Sequence, residues 1–216
     1  MIQTFNSRYN KSMENKILVT LLRHGRSRAD DEGVHEGRYD SPLTEVGRAQ
    51  VHSRVLSFLQ RDFQFDLIIA STLQRANETA QIISAALQVP VENDPDWMEW
   101  DNGPLAGLPF DLAEELYPQP AFRNPYTPMA GSGESEWDIY NRAAIAVQKL
   151  VQRGPGSYLV VAHGGILNTA LQTMMGAIPT VNLQGFVISF GDTGYVRLAY
   201  YPEKHRWVML EFVPGE

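Results

Sequence analysis

The apolar residues of this chain gather into a few unbroken runs, and between the runs they return at helical spacing. Residues 17–22 (Ile-Leu-Val-Thr-Leu-Leu), 65–70 (Phe-Asp-Leu-Ile-Ile-Ala) and 158–162 (Tyr-Leu-Val-Val-Ala) show almost no polar alternation. Runs of that kind read as strands buried on both faces, as inside a parallel sheet. Val51, Val55, Phe58 and Leu59 predict a helix with Thr44 as its N-cap and an end near residues 60–62. Leu73, Ala76, Ala80, Ile83 and Leu87 predict a second, capped by Ser71-Thr72. Ser135-x-x-Asp138 resembles a capping box and opens a third, whose Tyr140, Ala143, Ala144, Val147 and Val151 face inward. Gly154-Pro155-Gly156 stops it. A fourth carries Ile166, Leu167, Ala170, Leu171 and Met174 and ends at Gly176. Beyond it the grammar changes. Residues 185–190 and 195–201 flank Gly191-Asp192-Thr193-Gly194, and 206–212 follow a second turn, so the last strands are expected to be antiparallel.

Two stretches escape this pattern. Residues 1–16 are polar and read as a loose N-terminal tail without the apolar middle of a signal peptide. Residues 90–133 hold most of the 13 prolines, and only 111–117 look helical. Trp97, Trp100, Phe110, Tyr117, Phe122 and Tyr126 give this region apolar weight, so it reads as an ordered lid or wall with its own small cluster. The expected organisation is one domain over 17–216, with that insertion.

Composition narrows the chemistry. The formal net charge is −7, so no basic field draws the chain to nucleic acid or to an anionic membrane, and no apolar run is long enough to span one. An anionic substrate must be held by a local cluster of arginines. There is no cysteine, which excludes disulfides and thiolate chemistry. The default location is the cytoplasm.

The strand ends supply the candidate residues. In a parallel sheet the carboxyl ends of the strands lie on one edge, where ligands bind. The first run stops at Arg23-His24-Gly25, and the third at His163-Gly164-Gly165. The second leads through Ser71 to Arg75 in the first turn of a helix. A cation there opposes the helix dipole unless it has an anion to hold. Each feature has a plain alternative, a solvated charge at a strand or helix end. Together, two histidines and two arginines suit phosphoryl transfer: an imidazole attacks phosphorus, arginines balance the equatorial oxygens, and the second histidine donates a hydrogen bond. The helix openings at His163 and Thr72 would add backbone N–H groups. A zinc site is disfavoured, because no His-x-x-x-His or carboxylate cluster appears and two arginines would repel a dication. Glu99, in Trp97-Met98-Glu99-Trp100, is the candidate proton donor. A carboxyl among tryptophans is partly desolvated and holds its proton nearer neutral pH. The alternative is a plain surface glutamate.

These motifs carry a resemblance. Leu22-Arg23-His24-Gly25, Asp40-Ser41-Pro42-Leu43-Thr44-x-x-Gly47-x-x-Gln50 and Ser71-x-Leu73-x-Arg75-Ala76-x-x-Thr79-Ala80 resemble the signatures of the histidine phosphatase superfamily. So do Glu99-x-x-x-Gly103-x-x-x-Gly107, Gly133-Glu134-Ser135 and Val161-Ala162-His163-Gly164-Gly165, in the branch similar to cofactor-dependent phosphoglycerate mutases. The resemblance covers about residues 17–200. It implies a three-layer α/β/α sandwich around a mostly parallel sheet, with His24 as the phosphorylated nucleophile. Arg23, Arg75 and His163 would hold the phosphoryl oxygens, and Glu99 would act as acid and then base, with no metal or organic cofactor. Arg26, Ser27 and Asp30 depart from the usual residues. Arg26, Asp30 and, in the following loop, Arg38 are candidate substrate contacts, each with a solvated loop charge as its alternative. The expected activity is hydrolysis of a small phosphate monoester. The rivals are a phosphoglycerate mutase, for which the 90–133 wall does not look specialised, and a non-catalytic protein that binds a phosphoester. Oligomeric state is open, a homodimer included.

Overall fold

The unbroken apolar runs become the centre of a sheet. The computed structural model describes residues 15–215. Its strands are β1 (Ile17–Arg23), β2 (Leu67–Ala70), β3 (Val91–Asn93), β4 (Gly156–Ala162), β5 (Tyr195–Tyr201) and β6 (Arg206–Val213). They form one six-stranded sheet in the order β3-β2-β4-β1-β5-β6. The first four in that order are parallel. β5 runs antiparallel to β1, and β6 antiparallel to β5. The register sets Arg23 opposite Ala162 and Ala70 opposite Val161, so β1, β2 and β4 end level with one another.

The helices are α1 (Arg28–Glu32), α2 (Glu45–Gln60), α3 (Gln74–Leu87), α4 (Phe110–Leu116), α5 (Glu136–Gln152) and α6 (Gly164–Met175). Side chains alternate across a strand, and both faces of β1 are apolar. Ile17, Val19 and Leu21 join a core with Ile139 and Ala143 of α5 and Ile166 and Ala170 of α6. Leu22 joins a second core with Val51, Val55 and Phe58 of α2 and Ala76, Ala80 and Ile83 of α3. The result is a three-layer α/β/α sandwich. Among the described residues no helix is long and apolar enough to cross a membrane.

Several local expectations need correction. Residues 1–14, nearly all of the expected tail, lie outside the described residues. Ser71 and Thr72 do not cap α3. Leu73 holds the N-cap position without a side-chain bond, and Asp40 Oδ1 accepts from the Gln74 N–H at 2.6 Å. The buried stripe of α5 is Ile139, Ala143, Ala146, Val147 and Leu150, while Tyr140, Ala144 and Val151 lie at its margin. Tyr140 turns edge-on to Trp137 instead, with ring centroids 5.5 Å apart. The edge strand β3 is too short and too polar to stand out by pattern; it is held by its pairing with β2. Residues 185–190 form no strand. There the Asn168 amide takes the place of a neighbouring strand, accepting from the Ile188 N–H at 2.8 Å and donating to its carbonyl at 3.0 Å.

The 90–133 region does not build its own core. Trp97 is buried in the core shared by α5 and α6, whereas Phe110, Phe122 and Tyr126 are exposed. Polar contacts fix the wall instead. Arg142 of α5 donates to the carbonyls of Asp96 (2.9 Å), Met98 (2.6 Å) and Glu99 (3.2 Å). It also pairs with Glu134 at 2.7 Å. Trp100 Nε1 donates to the Glu134 carbonyl.

Gly25, after His24, is a place of close approach. The structure shows it admitting backbone: a Cβ there would lie 2.6 Å from the Gly47 carbonyl oxygen, and one on Gly47 would lie 2.1 Å from that of Arg26. The first turn of α2 therefore rests directly on the loop that carries His24. Gly47→Ala should destabilise the chain by about 1–3 kcal/mol through this overpacking. Urea unfolding measures it; an unchanged midpoint would show that the loop yields freely.

Candidate active site

Three strand ends and the loops between them bring His24, Arg75 and His163 together, all fully buried. His24 follows β1, and its Nδ1 lies 2.7 Å from the Gly25 carbonyl. A carbonyl only accepts, so Nδ1 carries the proton and Nε2 is left with its lone pair. Arg75 Nε donates to that Nε2 at 3.1 Å. The other two guanidinium nitrogens donate to the carbonyls of Tyr39 and Gly37, each at 2.9 Å. His163 follows β4, and its ring lies 5.0 Å from that of His24, tilted by 60°. Ser71, at the end of β2, accepts from the Leu73 N–H and lies 2.8 Å from His163 Nε2. This contact engages Nε2 and leaves Nδ1 as the buried ring nitrogen of His163 that has no partner.

The electrostatics follow from burial. Desolvation, then the Arg75 and Arg23 guanidiniums, hold the His24 pKa well below the ordinary histidine value. Desolvation, Arg75 and His24 do the same to His163. Both rings are therefore uncharged at neutral pH.

The remaining expected residues are placed as follows. Arg23 donates to the Phe190 carbonyl at 2.8 Å, and its Nη2 lies 3.8 Å from Asp30 and 3.6 Å from Asp192. Asp30 also accepts from the Ser27 N–H in a capping box at α1. Arg26 is engaged at the surface by Asp31 at 2.7 Å. Arg38 pairs with Asp101 at 3.0 Å and Glu134 at 3.2 Å. Arg38 also donates to the Glu99 carbonyl at 3.5 Å, but among the described residues neither Arg26 nor Arg38 pairs with His24, Arg75 or His163. Glu99 is not simply sheltered by tryptophans. Its carboxylate accepts from the N–H groups of Gly165 (2.9 Å), Ile166 (2.9 Å) and Trp100 (2.8 Å). The helix openings expected to bind the ligand are thus occupied by side chains of the protein, Glu99 at α6 and Asp40 at α3.

Two participants, Glu36 and Arg142, were not singled out from the sequence, and a third, Ser71, was given another part. Glu36 lies 3.4 Å from Arg75 Nε and 3.8 Å from His24 Nε2. Its one signal was a place in a long Gly-bearing loop. Arg142 acts through backbone carbonyls, which leave no mark in a motif. Ser71, read as a helix cap and as the strand end leading to Arg75, is instead the hydroxyl beside His163 Nε2. Among the described residues no group of three or more His, Asp or Glu side chains is disposed to hold a metal ion.

Two uncharged buried imidazoles make stability depend on pH. Below about pH 6.5 histidines of the unfolded chain take up protons that the folded chain refuses, so stability falls as pH drops below that value. The thermal midpoint should decline from pH 7 to pH 5, and the decline should be shallower in His24→Gln/His163→Gln. Equal slopes in the two proteins would contradict the neutral assignment.

Comparison with known proteins gives the family. Residues 19–212 match the family described as the histidine phosphatase superfamily (branch 1). The Bacillus subtilis protein named uncharacterized phosphatase PhoE is 30% identical over 162 residues, 74% of this chain and 79% of that one. Phosphoglycerate mutase-like protein 4 of Arabidopsis thaliana is 31% identical over 169 residues, 76% of this chain and 73% of that one. A solved structure of mycobacterial glucosyl-3-phosphoglycerate phosphatase with VO3 superposes with a TM-score of 0.75 at 25% identity, covering 90% of this chain and 97% of that one. The fold, the level strand ends and the match over most of the sequence make this chain a member of the histidine phosphatase superfamily.

Proposed function

We propose that the chain is a metal-independent phosphatase that hydrolyses a small phosphate monoester through a phosphohistidine at His24. The observation that carries this reading is the state of His24: an uncharged ring, its Nδ1 proton committed to Gly25, its Nε2 aimed at Arg75. Nε2 attacks phosphorus, the ester P–O bond breaks, and the leaving oxygen takes a proton from the Glu99 carboxyl. Arg75 and Arg23 balance the charge on the phosphoryl oxygens, and His163 Nδ1–H donates to one of them. Glu99 then takes a proton from water, whose oxygen attacks phosphorus. The P–N bond breaks, its electrons return to Nε2, and phosphate leaves.

Hydrolysis is favoured over isomerisation by the company the outer arginines keep. A mutase must hold a second anionic group on its substrate. Here Arg26 is matched by Asp31, Arg38 by Asp101 and Glu134, and Arg142 by Glu134.

Phosphate release from a panel of monoesters, with a chelator present, tests the proposal. The panel includes 3-phosphoglycerate with its bisphosphate primer. Release should persist in chelator and fall by at least about 10³-fold in His24→Ala, with the chain still folded. Activity retained in that variant would remove His24 as nucleophile, and isomerised phosphoglycerate without net release would favour a mutase.

A further inference from the structure

Glu36 is the carboxylate for which the proposed chemistry has no task. It sits in the loop between β1 and α2, beside Gly37, whose carbonyl receives Arg75. Its Oε1 lies 3.4 Å from Arg75 Nε and accepts from Ser27 Oγ. Its Oε2 lies 3.8 Å from His24 Nε2. The carboxylate therefore stands against both the attacking nitrogen and the guanidinium beside it. A phosphoryl group on Nε2 must lie next to this negative charge.

The rim of the site has the same sign. His24, Arg75 and His163 have no exposed surface. Around them Arg23 keeps 21% of its side chain exposed, Asp30 25%, Asp192 12% and Glu36 19%. The rim thus sets Glu36, Asp30 and Asp192 about Arg23, which is shared between Asp30 and Asp192, while Arg26, paired with Asp31, lies close enough to act on the same two aspartates. The next arginines outward already have carboxylate partners. A substrate enters through an acidic rim to reach a cationic floor. Repulsion between like charges a few ångströms apart is large where water is partly excluded.

We propose that Glu36 is a specificity-determining residue. It directs the site to phosphate monoesters whose alcohol carries a hydrogen-bond donor, an ammonium above all, close to the ester oxygen. It rejects esters with a carboxylate or a second phosphate at that place. This selectivity rests on the reading of His24, Arg75 and His163 as the phosphoryl site given above.

Phosphoethanolamine and phosphoglycolate are a matched pair, each with a two-carbon skeleton and opposite charge at the far end. Calorimetric binding to the His24→Ala protein measures both without turnover. That protein should bind phosphoethanolamine at least about tenfold more tightly than phosphoglycolate. Adding Glu36→Gln should move the ratio of dissociation constants about tenfold or more toward phosphoglycolate. Loss of one negative charge eases the shared phosphoryl group into the site for both ligands, so the ratio, which cancels that common gain, reads the charge at the far end. A ratio unchanged within about twofold, or a parallel loss of both affinities, would overturn the assignment of Glu36. Binding of inorganic phosphate with no preference between the esters would overturn Glu36 alone. Failure of phosphate and both esters to bind would bring down the phosphoryl site as well.

Discussion

A neutral imidazole buried beside guanidiniums is the constraint on which the site depends. Were His24 to accept a second proton, it would place a third positive charge among Arg23 and Arg75 and lose the lone pair that chemistry needs. Burial and those two cations both oppose that charge. The Gly25 carbonyl settles which nitrogen keeps the one proton. A neighbouring carbonyl thus sets a tautomer that the side chain alone would leave open. Ser71 engages Nε2 of His163 and leaves its Nδ1 without a partner.

The sheet supplies the geometry for that electrostatics. Level ends on β1, β2 and β4 bring His24, Ser71 and His163 together from positions far apart in sequence. α2 presses on the His24 loop through a glycine pair with no room for a side chain. The positive charge this concentrates is offset by Glu36, Asp30 and Asp192 around the opening. The site is therefore a cationic floor under an acidic rim, a contrast that lies within a few ångströms although the chain as a whole is acidic.

Much of this was legible in the residue order. Apolar runs ending in Arg23-His24 and in His163 identify the central strands and the site edge together, because burial on both faces and a polar stop are strong local signals. Arg75 in a first turn was a conflict that pointed to a partner, and His24 and Glu36 are what it meets. What escaped depends on tertiary placement. β3 is three residues long and exists through its neighbour. Glu99 meets N–H groups more than sixty residues away, where the sequence suggested only its tryptophan neighbours. Arg26, Arg38 and Glu36 are all charged residues in one loop. Nothing local distinguishes the two that find partners outside the site from the one that turns into it.

Two arginines at the site hold main chain more than side chain. Arg75 grips the carbonyls of Gly37 and Tyr39, and Arg142 those of Asp96, Met98 and Glu99. A carbonyl is the same whatever residue bears it. The loops around the reacting centre are consequently anchored by groups that mutation cannot remove, while most of their side chains remain free to change. Such a scaffold lets the sequence of its loops drift while the main chain around His24 and His163 stays in place.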